Sequence, residues 1–212
     1  FANDYSDGVR GTDKFRSGPK RLTASGAAKP RTVLTVALVF FALAAAASVT
    51  EGIHLGTAVT VLSSDDPVRV YERFATLDAV SNGRAEIILG RGSFTESFPL
   101  FGYDLSDYDT LFSEKVELFS RLRSEGPVTW SGKHRTPLIE QEIFPKTEQP
   151  DGVRAWIGVG GSPHSVLRSV QVGIPMMLAI IGGDPARFVP FANLYRQTQA
   201  ELGRDAMPLG VH

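Results

Sequence analysis

The sequence predicts an α/β fold in which helices cover a parallel sheet. Three observations carry this prediction: strand and helix patterns alternate from residue 53 onward, the strands are apolar on both faces, and turns rich in Gly, Pro, Asp and Ser separate the elements. With 212 residues, 42% of them hydrophobic and 21% charged, the chain can form one domain with a substantial core. A disordered composition is therefore excluded for the chain as a whole.

The first predicted elements lie between residues 33 and 89. Residues 33–49 form an almost wholly apolar run, VLTVALVFFALAAAASV, which predicts either a buried Ala-rich helix that covers a sheet or a membrane anchor preceded by a basic flank. We favour the buried helix because a run of 17 residues is at the short limit for a membrane span. Strands are then predicted at 53–62 and 85–89, with a helix between them that Asp66 caps and that ends near Val80.

The pattern after residue 89 has one interruption. A helix is predicted from Ser106 or Asp107 to about Arg123. Residues 126–152 then break the alternation, with a small hairpin over 127–133 and a Pro-rich loop beyond it. The alternation resumes with strands at 155–159, 176–181 and 208–212, and with helices at 164–172 and about 186–202.

Charge is distributed unevenly along the chain. Residues 1–31 hold seven Lys and Arg against three Asp and show no helical or strand period, so we expect residues 1–32 to be a disordered leader or a segment foreign to the fold. The net charge of −1 gives no argument for a nucleic-acid partner. The chain has no cysteine, which excludes disulfides, thiolate metal sites and cysteine nucleophiles and fits a cytoplasmic protein.

Gly90-Arg91-Gly92 directly follows the predicted strand 85–89. Glycines let the backbone approach a ligand closely, and an arginine supplies two parallel donors for an anion. The carboxyl ends of parallel strands are where α/β proteins bind ligands. The sequence therefore predicts either an anion site here or, as the alternative, a tight turn with a surface arginine.

A second Gly-rich turn, GVGGSPHS over residues 158–165, leads into a predicted helix. Gly160 and Gly161 leave backbone N–H groups accessible, Ser162 and Ser165 add hydroxyl groups, and the helix dipole favours an anion. Together with Arg91, this turn predicts a phosphorylated cofactor that bridges two loops. The alternative is an N-capping turn without a ligand.

Three further patterns were considered as sites. Small residues within the first strand, Gly56-Thr57-Ala58-Val59, predict either a surface for a flat ring or a bulge. Residues 63–66 (Ser-Ser-Asp-Asp) have the side chains of a metal loop, but the Pro67 that follows favours helix capping. No metal site is predicted, because the candidate histidines lack ligand spacing: His54, His134 and His164.

Four blocks carry a resemblance to a known family: residues 55–94, 98–104 (FPLFGYD), 156–166 (WIGVGGSPHSV) and 173–183 (GIPMMLAIIGG). From about residue 41 onward the sequence resembles the luciferase-like flavin-dependent monooxygenases, the family of bacterial luciferase. The resemblance implies a (β/α)8 TIM-barrel fold over 33–212, with about five of eight strands recognisable and an insertion at 126–152. It also implies reduced FMN, or the deazaflavin F420, as cofactor, and O2 and a small organic molecule as substrates.

The resemblance assigns cofactor roles but no catalytic residue. The position of Arg91 is similar to the family's flavin-phosphate arginine, and the Ala58–Val59 bond to a place where the family often has a non-prolyl cis peptide under the flavin ring. The family's acid-His-His block has no counterpart, since no histidine precedes His54. The implied cofactor residues are Ala58, Val59, Gly90, Arg91, Gly160, Gly161, Ser162 and Ser165; Phe94, Phe98 and Phe101 either line the pocket or belong to the core.

Other functions remain open at this point. A truncated remnant without catalysis and a membrane-anchored protein that uses residues 33–49 are the alternatives to a flavin-dependent oxidoreductase. An aldolase-like barrel would want a lysine or paired carboxylates at strand ends, where none appear. For the oxidoreductase we expect a homodimer if the full barrel forms, and a flavin reductase as a partner.

Overall fold

The structure, a computed structural model, describes residue 9, residue 26 and residues 28–93, 95–124, 126–181, 184–204 and 207–212. The chain divides into two compact units, Phe1–Ile53 and His54–His212. Most of the predicted leader, residues 1–32, lies outside the described residues.

The first unit contains helix α1 (Pro30–Ser48), which confirms the helix predicted for the apolar run. Pro30 occupies the first turn, where a missing N–H costs nothing. The predicted burial is wrong for three of its large side chains, since Leu38, Val39 and Phe41 are 58%, 52% and 64% exposed. Among the described residues, no helix combines the length and apolar character needed to cross a membrane.

The second unit is an α/β unit, as predicted. Its strands are β1 (Leu55–Val61), β2 (Ala85–Gly90), β3 (Val128–Trp130), β4 (Leu138–Gln141), β5 (Arg154–Val159), β6 (Met176–Leu178) and β7 (Leu209–Val211). Its helices are α2 (Pro67–Ser81), α3 (Ser97–Leu100), α4 (Tyr108–Leu122), α5 (Pro163–Val172) and α6 (Val189–Glu201). Five strands form one sheet in the order β1-β2-β5-β6-β7, and every neighbouring pair is parallel.

The two faces of this sheet differ. Ala85, Ile87 and Leu89 alternate along β2 and pack in the core with helical side chains such as Phe112 and Phe119. The residues between them, Glu86, Ile88 and Gly90, belong to the opposite face, where the Trp156 indole N–H donates to the Glu86 carboxylate. The helices therefore pack against the face of the sheet that carries Ala85, Ile87 and Leu89.

Helix α2 begins and ends as its sequence predicts. The Asp66 side chain accepts from the N–H groups of Val68 at 3.0 Å and Arg69 at 3.2 Å, so the interpretation of this acidic turn as a cap is confirmed. Asn82 takes the left-handed conformation, with φ of 55°, that closes many helix C-termini. These two caps are local sequence signals, so both ends of α2 agree with the sequence prediction.

The hairpin of the insertion spans more residues than predicted. Its first strand, β3, lies within 127–133, but it pairs with β4, which falls in the range predicted to be a loop. The connection between β3 and β4 is bound to α4. The Glu114 carboxylate on that helix accepts from the N–H groups of Lys133 at 2.6 Å and His134 at 2.8 Å. This contact between segments distant in sequence gives no local signal.

Two aspartates also tie the insertion to the rest of the unit. Asp78 is fully buried on α2, and its carboxylate accepts from the N–H groups of Glu148 at 2.8 Å and Gln149 at 3.2 Å. Asp66 accepts from Arg135 Nε at 2.7 Å. The insertion is therefore held at two places, residues 133–135 and residues 148–149.

Candidate cofactor site

The carboxyl ends of β1, β2 and β5 meet around the side chain of Val59. A Cβ added to Gly90 would lie 2.5 Å from Val59 Cγ2, and one added to Gly158 would lie 3.4 Å from Val59 Cγ1. The Ala58–Val59 peptide bond is cis, as the resemblance implied, and the pairing of β1 with β2 shifts between Ala58 and Thr60. The register shift agrees with the bulge interpretation, and the surface for a flat ring stays a prediction.

Arg91 leaves the end of β2 and is three-quarters buried. Its Nη1 lies 2.6 Å from Asp109 Oδ1, and its guanidinium lies 5.1 Å from the centre of the Tyr108 ring. The Tyr108 hydroxyl donates to the Gly92 carbonyl at 2.6 Å. The side chain is held in a partly desolvated position where a guanidinium attracts anions strongly.

The turn between β5 and α5 is built from backbone rather than from a side-chain cap. Ser162 is the N-cap residue of α5, and its hydroxyl makes no capping hydrogen bond. Gly161 has a φ of 110°, which a residue with a Cβ rarely adopts, and a Cβ added to Gly160 would meet nothing within 4 Å. Ser165, in the first turn of the helix, is buried. The helix N-terminus is thus left open for a ligand.

Arg168, on the second turn of α5, reaches the same carboxylate as Arg91. Its Nη2 lies 3.7 Å from Asp109 Oδ1, its Nε donates to Ser113 Oγ at 2.9 Å, and its guanidinium lies 5.4 Å from the centre of the Phe112 ring. Burial, and then repulsion by Arg91, lowers the pKa of Arg168. Among the described residues, its Nη1 is buried without a hydrogen-bond partner.

The sequence reasoning missed Tyr108, Asp109 and Arg168. The one sequence signal for Arg168 was its position on the predicted helix 164–172. The structure shows that its neighbours on this helix are buried: Val166, Ser169 and Val170. Of the predicted pocket aromatics, Phe98 is buried against Tyr108, with ring centres 5.5 Å apart, and Phe101 is 59% exposed. Phe94 lies outside the described residues.

A second polar cluster surrounds the buried ammonium of Lys115 on α4. Lys115 Nζ donates to the Ser63 carbonyl at 2.7 Å and lies 4.1 Å from the centre of the Tyr103 ring. Burial lowers the pKa of Lys115 to about 8, although Asp66, Asp65 and Glu114 raise it. This lysine joins α4 to the turn after β1, and sequence spacing gave no indication of it.

Within the described residues, no group of three or more His, Asp or Glu side chains is arranged to hold a metal ion. His134 instead lies beside Thr110, with Nε2 3.3 Å from Oγ1. His54 lies beside Arg154, with its Nε2 3.2 Å from Arg154 Nη1.

The parallel five-stranded sheet, with an arginine and a Gly-rich turn at its strand ends, is of the kind found in TIM-barrel-type α/β enzymes. A sequence model of the luciferase-like monooxygenases matches residues 27–211, and the chain belongs to this family.

Curated relatives include the alpha chains of alkanal monooxygenases. The chain is 27% identical over 157 residues to the alkanal monooxygenase alpha chain of the Kryptophanaron alfredi symbiont, an alignment that covers 74% of this chain and 43% of that protein. The chain therefore spans less than half the length of this relative.

A different class of enzyme matches a shorter part of the chain. The 1,4-dihydroxy-2-naphthoate octaprenyltransferase of Mycobacterium tuberculosis is 60% identical over 47 residues, which is 22% of this chain and 16% of that protein.

Solved structures agree with the fold. The monooxygenase RslO1 from Streptomyces bottropensis superimposes with a TM-score of 0.69 and 26% identity, over 80% of this chain and 51% of that one. An F420-dependent secondary alcohol dehydrogenase in complex with an F420–acetone adduct gives a TM-score of 0.64 at 22% identity, over 80% and 52% of the two chains. The oxygenating constituent of 3,6-diketocamphane monooxygenase from Pseudomonas putida, in complex with FMN, gives 0.62 at 15%, over 79% and 50%. These are TIM-barrel-type enzymes, and the chain covers about half of each.

Proposed function

We propose that this chain forms the phosphate-binding side of a flavin-dependent monooxygenase or oxidoreductase that uses reduced FMN, or F420, and O2 on a small organic substrate. The observation that carries the proposal is the contact of the Val59 side chain with Gly90 at the end of β2, next to Arg91. A flavin cofactor has a ring at one end and a phosphate at the other. It therefore needs an apolar surface for the ring next to a positively charged group for the phosphate.

The residues present fit such a cofactor. Arg91 offers a guanidinium for the phosphate, and the turn Gly160-Gly161-Ser162 offers backbone N–H groups at an uncapped helix N-terminus. The nearby Arg168 Nη1, buried without a partner among the described residues, is a donor that an anion would satisfy. Val59, 43% exposed, offers an apolar surface for the ring.

The bound flavin would supply the electrons that activate O2. The chain's own residues would bind and orient it: Arg91 and the β5–α5 turn fix one end, and the side chains around Val59 keep water from the other. No residue of this chain is assigned a proton transfer.

The choice between FMN and F420 stays open within the proposal. The Pseudomonas putida structure contains FMN and the alcohol dehydrogenase contains an F420 adduct, and both share the fold. Each cofactor carries a phosphate group that an arginine would recognise.

The test is the substitution Arg91→Ala with FMN and riboflavin as a matched pair that differs by the phosphate. We expect FMN binding to weaken by about 10- to 100-fold, the loss of a charge-assisted hydrogen-bond pair, and riboflavin binding to change little. Fluorescence titration measures both dissociation constants, with the exposed Arg121→Ala as the control. If the affinities for FMN and riboflavin fall equally, Arg91 does not bind the phosphate.

A flavin-binding protein without turnover is the second candidate. It is favoured by the departure of the sequence from the family pattern, since no histidine precedes His54 where the resemblance implies an acid-His-His block. Oxygen consumption by the full chain, supplied with FMN, a nicotinamide cofactor and a flavin reductase, separates the two. Uptake above that of the reductase alone supports the enzyme, and its absence together with FMN binding supports the non-catalytic protein.

A further inference from the structure

The proposed phosphate site contains more positive charge than the sequence reasoning assigned to it. Arg91 and Arg168 come from different elements, yet both point a guanidinium nitrogen at one oxygen, Asp109 Oδ1, at 2.6 Å and 3.7 Å. Two arginines held this close repel one another, which is unfavourable unless an anion lies between them. Here the anion between them is the Asp109 carboxylate.

Asp109 neutralises the pair incompletely. Its side chain is 69% exposed, and exposed ion pairs contribute about 1 kcal/mol or less. At 3.7 Å its oxygen is too far from Arg168 Nη2 for a hydrogen bond. A phosphate, with up to two charges and three acceptor oxygens, would satisfy both guanidinium groups where one carboxylate satisfies one.

The Arg168 side chain is buried, and a chain of hydrogen bonds fixes its orientation. Its side chain is nine-tenths buried, its Nε is fixed by Ser113 Oγ at 2.9 Å, and Ser113 in turn donates to the Asp109 carbonyl at 2.8 Å. This leaves Nη1 without a partner among the described residues, although buried donors are nearly always paired. Side chains of a helix lean toward its N-terminus, and Ser162 is the N-cap residue of this helix.

We infer that Arg168 is a second phosphate-binding arginine, and that Asp109 is an internal competitor that occupies the arginine pair until a phosphorylated ligand displaces it. The inference rests on the proposed function, because it concerns the same site. It adds a residue that binds the ligand and a residue that opposes binding.

The two roles predict changes of opposite sign. Arg168→Met should weaken FMN binding about tenfold or more and leave riboflavin binding nearly unchanged, since it removes a charged donor pair. Asp109→Asn should strengthen FMN binding by a few-fold, because it removes the competing charge and keeps the side chain's shape. Arg121→Met and Glu117→Gln are matched controls, since these exposed residues lie on α4 and pair with each other.

The experiment is fluorescence titration of FMN and riboflavin at low and moderate salt, on the full chain and these variants, with a thermal shift by inorganic phosphate as a second measurement. If Arg168→Met does not fold, Arg168→Lys and the exposed Asp109→Asn still report. Loss of the FMN preference in the arginine variant and its gain in Asp109→Asn support the inference. If the unmodified chain prefers FMN and neither variant changes that preference, the inference is overturned and the proposed function stands.

The failure of the proposed function gives a different pattern. The unmodified chain would then bind neither flavin, yet inorganic phosphate would stabilise it, and Arg168→Met would abolish that stabilisation. In that case the anion site is real and belongs to another ligand. A chain that responds to none of the three probes overturns both proposals.

Discussion

Single residues at the strand ends set the shape of the cofactor surface. Gly90 is required because Val59 occupies the space of a side chain, and Gly161 because its backbone conformation excludes a Cβ. Arg91 and Arg168 both approach one carboxylate oxygen, Asp109 Oδ1, at 2.6 Å and 3.7 Å.

Gly90→Ala should destabilise the protein. The new methyl would lie 2.5 Å from Val59 Cγ2, so Val59 or the end of β2 must move, at a cost of about 1–3 kcal/mol for overpacking. Gly160→Ala is the control, because its added Cβ would meet nothing within 4 Å. Urea unfolding compares the two variants, and equal free energies of unfolding would show that Val59 adapts freely.

Lys115 should make stability depend on pH in the alkaline range. Its pKa is about 8 in the folded protein against 10.5 for the ordinary side chain, mainly because of burial. Between these values the unfolded chain binds more protons than the folded one, so the free energy of unfolding rises with pH by up to roughly 3 kcal/mol. Below pH 8 both states carry the proton, and the cost of burying the charge is fully present.

The comparison with Lys115→Met isolates this effect from other titrating groups. Urea unfolding at several pH values from 7 to 10 should show the unmodified protein gaining stability relative to the variant as pH rises. The exposed Lys133→Met should show no such trend. A difference that is constant with pH would mean that Lys115 titrates normally in the fold.

Among the elements, the parallel strands and their capped helices could be predicted, and the insertion could not. β2 and β5 are apolar on both faces and bounded by glycines, and Asp66-Pro67 marks the start of α2, so their signals are local. β4 was missed because its pairing with β3 depends on α4 holding the intervening turn through Glu114. The burial of α1 was overestimated because an apolar run does not indicate which of its residues are covered.

For the site, what could be predicted was the part that glycine and arginine mark at strand ends. The resemblance added the cis bond at Ala58, which no local pattern would have indicated. Asp109 and Arg168 were missed because each is an ordinary helical residue until the fold brings α4 and α5 together.

The insertion depends on a buried acceptor at Asp78. Its carboxylate receives Gln149 Nε2 at 2.6 Å as well as two backbone N–H groups from residues 148 and 149. Asp78→Asn turns one acceptor into a donor that faces these N–H groups, and we expect a loss of about 3 kcal/mol or more of stability. Glu148→Gln, an exposed neighbour with the same change of charge, should have little effect; equal losses by urea unfolding would show that Asp78 is not an anchor.

At the scale of the molecule, the chain is similar to two classes of enzyme. The alignment with the monooxygenase relative has 157 residues, close to the length of the unit His54–His212, and the alignment with the octaprenyltransferase has 47 residues, close to the length of Phe1–Ile53. We propose that the second similarity belongs to the first unit, in line with the expectation of a segment foreign to the fold.

Cofactor binding should then be independent of that segment. Every residue assigned to the site lies within His54–His212. Replacing residues 1–47 with a Gly/Ser-rich sequence of equal length should leave the preference for FMN over riboflavin unchanged within about twofold, as measured by titration. A loss of that preference, with the protein still folded by circular dichroism, would show that the first unit contributes to the site.

The three anchors of the insertion bear on the kinetics of the protein. Because Asp66, Glu114 and Asp78 accept hydrogen bonds from this segment, we expect it to keep one position when a ligand binds. Association of a ligand would then need no conformational step from this segment. Stopped-flow traces would follow a single exponential whose rate rises linearly with ligand concentration, without the plateau that a closing lid imposes.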